Sequence, residues 1–473
     1  MRFRIKLAPG TLTAPFKGRL LVLLDDQIQG ELARPSELRA LPAAMVVAAD
    51  VELAPGGEVV IDTRRSAPPF DELPTGRYRI EAVLDADGDY AVAQAGGGDV
   101  IGPPAITEVP GLFGEISLRL DKVLPVARPR GPTGVETIIV SSKLLAEAKA
   151  PVTEIFAAAA VPPGKSGGPW PVVYEILGYG GTPRVAVQAA TMARRRMEQG
   201  AYPTMVYVFV NASTPMGHSG MLDSPCQGPW GKAFMDEVVP AVEAQLPVLR
   251  GEPKRRALAG DSAGGRAALQ LMIDNPQAFA GVWATAPDWP DFRDVLGARL
   301  TPGSTDNLYK QGDGSARLLR RAVAGRPPYT VETSLRREAV VGGGMFTAIE
   351  AQLGSCGADR QPKPVVDRST GALINATLEE WQPHDLTRKV TQLWPTEGGH
   401  LYGKLHVMVG SRDDFFMEQS VKLFCDDLAK LETGIHCETV AERSHFDLRS
   451  LVTDIAGDVS PRLMAEIAKA LAP

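Results

Sequence analysis

Short apolar runs, separated by clusters of Gly, Pro and Asp, fill the first part of the chain. Four of them have the length and alternation of strands: 18–24, 59–62, 76–84 and 115–120. Alternating apolar and polar positions are typical of strands that bury one face, and many short strands between turn signals favour a sandwich. We therefore expect a small all-β, sandwich-like accessory domain over residues 1–125. Residues 126–135 are rich in Pro and Gly and indicate a stiff linker.

After the linker, apolar strand patterns alternate with amphipathic helix patterns. In chain order the predicted elements are two strands, a helix, a strand and a helix, at 153–161, 171–177, 184–198, 205–210 and 231–246. Strands that alternate with helices call for a mostly parallel sheet with helices on both faces. The sequence therefore predicts an α/β catalytic domain over residues 136–473.

One connection in this domain is too long for a simple loop. It joins the predicted strands 282–286 and 405–409 and is more than a hundred residues long, whereas connections within compact domains are mostly short. We expect a cap-like insertion at about 290–400, with helices near 315–322 and 344–353.

The sequence Gly-Asp-Ser-Ala-Gly at residues 260–264 lies between an apolar strand pattern and an apolar helix face. In a Gly-x-Ser-x-Gly nucleophile elbow the serine occupies a strained turn, and the flanking glycines let strand and helix approach closely. The amide of Ala263 would then face the developing oxyanion, with the helix N-terminus behind it. We interpret Ser262 as a nucleophile. The alternative is an ordinary glycine-rich turn, so the interpretation depends on partners elsewhere in the chain.

A serine nucleophile needs a base, and the chain has six histidines. His445 is the candidate base because it directly follows a predicted strand at 435–440. An acidic pair, Asp413 and Asp414, follows the preceding strand. The order Ser262, acid, His445 is that of α/β-hydrolases. For the other histidines a structural role is the simpler interpretation: His218, His384, His400, His406 and His436.

The two aspartates leave a choice for the acid that orients the imidazole. Asp413 ends a Gly-x-x-Asp turn and is the preferred candidate. Asp414 is instead expected to cap the helix that begins near Phe416. It stays the alternative acid.

A second oxyanion donor is expected from the glycine cluster 178–182, because backbone amides there can face a substrate without a side chain in the way. The amide of Tyr179 is the candidate, and a flexible glycine turn is the alternative. Trp289 and Trp230 lie near predicted loop ends that face the elbow. They are weaker candidates for lining a substrate pocket, and a place in the core is the alternative for each.

Taken together, these segments resemble the esterase D type of α/β-hydrolase over residues 136–470, preceded here by an extra β domain. The similar pieces are, in chain order, 141–145, 171–181, 234–240, 259–265, 275–279, 381–385, 410–415 and 444–446. That group includes S-formylglutathione hydrolases, feruloyl and acetyl-xylan esterases, siderophore esterases and mycolyltransferases. The resemblance implies Ser262 as nucleophile, Asp413 as acid and His445 as base. The loop 178–181 departs from the His-Gly start that is usual in that group.

Composition and charge exclude some classes of function. The formal net charge of −6 gives no basic footprint for nucleic acid. No apolar run approaches the ~20 residues that a membrane helix needs. The four cysteines lack metal-ligand spacing, so neither a metal nor an organic cofactor is expected.

The cysteines also bear on the cellular compartment. Cys425 and Cys437 flank a predicted helix-to-strand turn and are expected to form a disulfide, and a second bridge is expected between Cys226 and Cys356. Disulfides favour a periplasmic or secreted protein, whereas four thiols would favour the cytoplasm. No signal peptide is visible after Met1.

The sequence thus predicts a serine hydrolase that cleaves a small-molecule or glycan-linked carboxylic ester through an acyl-enzyme intermediate. Three alternatives stay open: an acyltransferase or a peptidase with the same triad, and a catalytically inactive glycan-binding protein. Acyl and alcohol specificity, oligomeric state and the role of the β domain are not predicted.

Overall fold

The structure, a computed structural model, describes residues 1–25, 45–86, 88, 96–109, 114–126, 128–164, 168–322 and 328–473. The chain divides into two compact units. The first unit consists of Met1–Ala127, Pro215–Gly217 and Glu332–Thr347. The second unit consists of Arg128–Thr214, His218–Val331 and Ala348–Pro473.

The N-terminal region is rich in strands, and all four predicted strand runs lie in strands. The elements in chain order are β1 (Arg2–Leu7), β2 (Phe16–Asp25), β3 (Met45–Leu53), β4 (Glu58–Asp62), β5 (Ser66–Ala67), β6 (Gly76–Asp85), β7 (Val100–Ile101), β8 (Ala105–Val109), β9 (Glu115–Leu120) and β10 (Lys122–Val123). They form one sheet of order β4-β1-β9 and a second of order β10-β7-β6-β2-β3-β5, in which β8 also pairs with β6. Alternate residues of both sheets share one core, for example Phe3 and Ile5 of β1 with Leu20 and Val22 of β2.

The rest of the chain alternates strands and helices. Its elements are β11 (Val135–Ser141), α1 (Lys143–Glu147), β12 (Glu154–Ala160), β13 (Val172–Ile176), α2 (Pro183–Glu198), β14 (Val206–Val210), β15 (Ser213–Thr214), β16 (Gly217–His218), β17 (Asp223–Ser224), β18 (Gly228–Pro229), α3 (Trp230–Ala233), α4 (Val239–Gln245), β19 (Arg256–Asp261), α5 (Ala263–Asp274), β20 (Gly281–Thr285), β21 (Leu318–Arg320), β22 (Tyr329–Thr330), α6 (Val331–Val341), α7 (Met345–Leu353), α8 (Asn375–Trp381), α9 (Leu386–Leu401), β23 (Leu405–Gly410), α10 (Met417–Lys430), β24 (His436–Val440), α11 (His445–Leu448) and α12 (Ser460–Ala470). A π-helical turn, Phe234–Val238, joins α3 to α4.

The central sheet has the order β11-β12-β14-β13-β19-β20-β23-β24. The first two pairings are antiparallel, and every later pairing is parallel. This confirms the predicted α/β class with a mostly parallel sheet. Because the strands from β14 to β24 are parallel, the loops that follow β13, β19, β20, β23 and β24 all leave the same edge of the sheet.

In its described residues, the long connection between β20 and β23 contains β21, β22 and the four α-helices α6 to α9. The predicted helix near 344–353 is confirmed as α7, but the predicted helix near 315–322 is wrong, because that stretch holds strand β21. The buried Arg317 side chain donates hydrogen bonds to the carbonyl oxygens of Leu296, Asn307 and Lys310, which holds the segment extended. The hydrogen bonds from Arg317 to these three carbonyls stabilise the extended conformation, although the apolar pattern there is typical of a helix.

Helix α6 of this connection clusters with the first unit. Val340 and Val341 pack against the apolar face formed by Leu21, Leu23 and Val83. That face therefore depends on a helix that the chain supplies from far downstream. The domain limits expected from sequence stay predictions.

Both expected disulfides are present. Cys425 of α10 bonds to Cys437 of β24, and Cys226 bonds to Cys356 beyond α7. Their Cα–Cα distances are 6.2 and 5.2 Å, within the ordinary range for disulfides. Among the described residues, no helix has both the length and the apolar composition that a membrane span requires.

The turn between β19 and α5 packs closely against β13. A Cβ on Gly260 would lie 2.2 Å from the carbonyl oxygen of Gly264, and a Cβ on Gly264 would lie 2.1 Å from the carbonyl oxygen of Ile176. Real Cβ atoms do not come so close to backbone oxygens, so both positions require glycine. The close approach that the elbow motif predicts is therefore present.

We expect Gly264→Ala to lower the free energy of unfolding by about 2–3 kcal/mol, because the new methyl group must displace backbone. Gly399→Ala is the matched control. A Cβ at Gly399, in α9, meets nothing within 4 Å, and alanine in a helix is favoured over glycine by about 0.5–1 kcal/mol. Urea denaturation measures both. Equal effects at the two positions would contradict the packing described here.

Candidate active site

Ser262 occupies the turn between β19 and α5 with φ 57° and ψ −127°. A positive φ is strained for a residue with a side chain and persists only where the surroundings impose it. Its backbone N–H donates to the carbonyl of Thr285 on the neighbouring strand, at 3.0 Å. The turn thus holds the serine at the carboxyl edge of the sheet.

His445 begins the short helix α11 and is buried. Ser444 and Asp447 form a capping box around its N-terminus, which fixes the start of the helix. The imidazole Nδ1 lies 2.7 Å from Oδ2 of Asp413. Two rings, Phe415 and Phe446, pack edge-on against the imidazole, with centroids at 5.0 and 5.4 Å. These contacts restrict the ring to one orientation.

Asp413 uses both of its carboxylate oxygens. Oδ2 contacts the imidazole, while Oδ1 accepts hydrogen bonds from the backbone N–H groups of Phe415 and Met417, at 2.9 and 3.3 Å. The carboxylate therefore also satisfies amides at the start of α10. Because it is fully buried and held on both sides, its position is fixed.

Asp414 does not cap helix α10, so that expectation is wrong. The residue before the helix is Phe416, in the left-handed region with φ 60° and without a side-chain cap. Asp414 Oδ2 instead accepts the backbone N–H of His445 at 3.1 Å. The two neighbouring aspartates therefore contact different parts of one histidine: Asp413 contacts the ring of His445, and Asp414 contacts its backbone.

The charge state of His445 is set by opposing effects. Burial alone would lower the pKa of the imidazole, but the hydrogen bond and charge of Asp413, with the charges of Asp261 and Asp288, raise it to about 9. The resting enzyme therefore favours an imidazolium that is surrounded by carboxylates.

The glycine cluster after β13 lies against the serine. A Cβ on Gly178 would lie 3.6 Å from Cβ of Ser262 and 3.0 Å from the carbonyl oxygen of Asp261. Thr182 then caps α2 by accepting the backbone N–H of Val185 at 3.1 Å. The loop that carries Tyr179 thus begins next to Ser262, and the Tyr179 amide as an oxyanion donor stays a prediction.

His218 supports this loop, a role that the sequence analysis missed. Its Nδ1 accepts the backbone N–H of Gly220 at 2.9 Å, so the opposite nitrogen carries the proton and donates to the carbonyl of Leu177 at 2.8 Å. Burial lowers the pKa of His218 to about 4, which keeps the ring neutral. The Ser213 hydroxyl donates to the carbonyl of Gly181 at the other end of the loop. The carbonyls of Leu177 and Gly181 thus accept hydrogen bonds from side chains outside the site.

A second carboxyl group lies at the serine and was also missed. The Ser262 hydroxyl donates to Oδ1 of Asp288 at 3.2 Å, and the Asp288 backbone N–H donates to the Ser262 carbonyl, also at 3.2 Å. Burial raises the pKa of Asp288 to about 6, against the opposing effects of His445, Ser262 and Arg266. The position of Asp288 after β20, a strand next to β19, is the signal that could have found it.

Arg266 fixes the loop that carries Asp288. Its buried guanidinium donates to the carbonyls of Trp289 and His384, at 2.8 and 2.5 Å, and more distantly to that of Asp288. Burial lowers the pKa of Arg266 to about 10, so the group stays charged near neutral pH. One helix residue thus ties α5, the loop after β20 and the region before α9 together.

A buried ion pair joins the histidine segment to the sheet. Arg449, just after α11, donates two hydrogen bonds to the Glu175 carboxylate of β13, at 2.9 and 2.7 Å. Both side chains are almost fully buried. A bidentate pair has a defined geometry, so it holds the segment that follows His445 against β13.

The two tryptophans proposed for the pocket are buried in the fold. Trp230 is 1% exposed and its indole N–H donates to the Gln227 carbonyl at 3.1 Å, while Trp289 is 4% exposed. Such burial favours the core alternative for Trp230. For both residues a part in substrate binding stays a prediction.

His406 and His436 lie in neighbouring strands, away from the serine. The His406 ring stacks between Trp283 and His436, with centroid distances of 4.4 and 4.6 Å. This stack lines a cavity of about 710 Å³ beside α12, which none of the proposed triad residues lines. In the described part of the chain, no group of three or more His, Cys, Asp or Glu side chains is arranged to hold a metal ion.

A family model and several solved structures are similar to parts of this chain. Residues 151–326 match a family model described as "Putative esterase". No curated protein sequence matches the chain. Similar solved structures include a ferulic acid esterase (15% identity, 72% of this chain, 98% of that chain, TM-score 0.44), the S-formylglutathione hydrolase of Agrobacterium tumefaciens (18%, 72%, 98%, 0.43) and the S-formylglutathione hydrolase FrmB of Staphylococcus aureus (10%, 72%, 98%, 0.42).

The family match covers the strand before the glycine cluster, the elbow with Ser262 and the loop with Asp288, and it ends before Asp413 and His445. This chain thus carries an esterase-family segment and is a carboxylic ester hydrolase.

Proposed function

We propose that the enzyme cleaves carboxylic esters through an acyl-enzyme intermediate, with Ser262 as nucleophile, His445 as base and Asp413 as the acid that orients the base. The observation that carries the proposal is the contact of 2.7 Å between His445 Nδ1 and Asp413 Oδ2, at the sheet edge that also bears the strained serine turn. The substrate is a small-molecule or glycan-linked ester.

The reactive form is the neutral imidazole, present once the His445 imidazolium has lost its Nε2 proton. In the first step Ser262 Oγ forms a bond to the ester carbonyl carbon, and its proton passes to Nε2 of His445. The carbonyl electron pair moves onto oxygen, where the amides of Ala263 and Tyr179 are the proposed donors. When the oxyanion collapses, the bond to the alcohol oxygen breaks. His445 returns the proton to that oxygen, and the alcohol leaves.

In the second step water attacks the acyl carbonyl and gives a proton to His445. The ester bond to Ser262 breaks, and the same proton restores the serine hydroxyl, so the acid is released and the enzyme is regenerated. Asp413 stays ionised throughout and stabilises the imidazolium that forms in each step.

The resting contacts of Ser262 fit this cycle after one rotation. The hydroxyl donates to Asp288 in the free enzyme, so it must turn toward Nε2 of His445 before attack. Catalytic hydrogen bonds are often not yet formed without substrate. We expect substrate binding to cause this rotation, because the substrate brings a new group to the Ser262 hydroxyl and the Asp288 carboxylate.

For the N-terminal region we propose an accessory β-sandwich. Its two sheets contribute side chains to one core, and α6 covers part of the other face of the larger sheet through Val340 and Val341. The guanidinium of Arg19 on β2 also donates to the Val340 carbonyl. Helix α6 is therefore part of this proposed domain, beyond the limits expected from sequence.

Removing either reacting residue should abolish most of the activity. We expect Ser262→Ala and His445→Ala each to lower kcat on a p-nitrophenyl ester by about four to six orders of magnitude, and the double variant to cost little more than either. His400→Ala, an exposed histidine of α9, is the control and should leave kcat unchanged. Two losses that multiply in the double variant would contradict a shared mechanism.

The two aspartates should separate in kinetics. Asp413→Asn should lower kcat by about four orders of magnitude, because it removes the acceptor that holds the productive tautomer. It also removes the charge of Asp413, which raises the His445 pKa, while Asp261 and Asp288 stay in place, so the rise of kcat/KM with pH should shift to lower pH. Asp414→Asn keeps an oxygen for the His445 backbone N–H and should cost less than about tenfold.

The pH profiles of both variants on one neutral ester measure this difference. The reverse ranking in kcat would identify Asp414 as the acid.

A further inference from the structure

Asp288 is a carboxylate that the triad does not use, yet it touches the nucleophile. Its side chain accepts the Ser262 hydroxyl at 3.2 Å, and its backbone N–H is bonded to the Ser262 carbonyl. The residue is only partly buried, unlike Asp413, which is fully buried. Its carboxylate oxygen lies beside the hydroxyl that an ester carbonyl must approach.

The loop that carries Asp288 is built to stay in place. Arg266 holds it through the Trp289 carbonyl. Three residues further on, Asp291 is fully buried, and its carboxylate accepts from the Thr387 hydroxyl at 2.7 Å and from the Arg293 guanidinium at 2.6 Å. A carboxylate on a loop fixed at both points is positioned for recognition.

Asp288 has no salt bridge to a lysine or arginine among the described residues, although the charges of His445 and Arg266 act on it. Arg266 directs its N–H groups to backbone carbonyls. The imidazole of His445 forms its hydrogen bond through Nδ1 with Asp413 and not with Asp288. Asp261 adds a third carboxylate whose charge acts on His445. Three carboxylates, those of Asp413, Asp261 and Asp288, thus act on one imidazolium near the serine, and this excess of carboxylates favours a bound cation.

We propose, on the basis of the proposed esterase function, that Asp288 binds a cationic nitrogen of the substrate, so that the enzyme prefers esters with an ammonium group close to the carbonyl. Single bonds are about 1.5 Å long, so a nitrogen two to four bonds from the carbonyl carbon can lie about 3 Å from a carboxylate beside Ser262 Oγ. Both an α-aminoacyl ester and an ester of an amino alcohol satisfy this distance.

The same contact couples recognition to reaction. When an ammonium group donates to Asp288, it competes with the Ser262 hydroxyl for the carboxylate oxygen. The hydroxyl is then free to turn toward Nε2 of His445. A neutral substrate provides no such donor, so the charged group should raise kcat and not only lower KM.

Two isosteric substrate pairs test the proposal at pH 7. Alanine β-naphthyl ester and isobutyric acid β-naphthyl ester differ by an ammonium in place of a methyl on the acyl side. Choline butyrate and 3,3-dimethylbutyl butyrate differ by a quaternary nitrogen in place of carbon on the alcohol side, and that charge does not titrate. We expect the wild-type enzyme to prefer the charged member of at least one pair by about 10- to 100-fold in kcat/KM.

Asp288→Asn should remove most of that preference, so that the ratio of kcat/KM between the charged and the neutral member falls toward one. Asp294→Asn, six residues further along the same loop, is the charge-matched control and should keep the preference. Ser262→Ala provides the blank for spontaneous hydrolysis of each ester.

A measurement on the unmodified enzyme does not depend on any variant. Tetramethylammonium chloride should competitively inhibit hydrolysis of the isobutyric ester, and sodium chloride at the same ionic strength should not. Inhibition by both salts alike would overturn the proposal.

The outcomes separate this inference from the proposed function. Equal losses on charged and neutral esters in Asp288→Asn would make Asp288 a positioning residue for Ser262 and overturn the inference, while the esterase mechanism stands. The same holds if the wild-type enzyme hydrolyses both members of each pair equally through Ser262. If Ser262→Ala retains full activity, the proposed function fails, and the inference fails with it.

Discussion

The close approach of three backbones at the serine turn is the constraint on which the site depends. Gly260 and Gly264 bring β19, α5 and β13 so near that no side chain fits at either position. This contact imposes the positive φ of Ser262 and lifts its side chain out of the sheet edge. The strain at one residue is thereby balanced by packing that many residues share. Substrate-facing groups on neighbouring loops are arranged around this fixed point.

Buried charges hold those neighbouring loops. Arg266 donates hydrogen bonds to the carbonyl of Trp289, in the loop after β20, and to that of His384, before α9. Arg449 pairs with Glu175 and holds the segment after α11. Neither guanidinium donates a hydrogen bond to the carboxylate of Asp288. The result is an imidazole among Asp413, Asp261 and Asp288. We infer that this excess of carboxylates, together with the position of Asp288 beside the Ser262 hydroxyl, favours a positively charged ester over a neutral one.

The parts that were predicted from the sequence are those with a local signal. Strand and helix periodicity gave the α/β class, and the glycines of residues 260–264 have a steric requirement that can be recognised without a structure. Asp413 and His445 were chosen as candidates because of their order along the chain after Ser262, and their side chains are in contact in the structure.

The misses came from contacts between distant segments. Arg317 keeps β21 extended through carbonyls that lie elsewhere in the chain. The Asp414 carboxylate accepts a hydrogen bond from the His445 backbone N–H and does not cap helix α10 as expected. Likewise, the roles of His218 and Asp288 depend on the paths of loops that meet only at the sheet edge.

The central claim is that Ser262 is an activated nucleophile. A fluorophosphonate reacts with such a serine by forming an oxygen–phosphorus bond and releasing fluoride, so mass spectrometry of digested, labelled protein identifies the residue directly. The account predicts one stoichiometric adduct on the peptide that contains Ser262, lost in Ser262→Ala and strongly slowed in His445→Ala. An adduct on another serine, or an active esterase without any adduct, would contradict it.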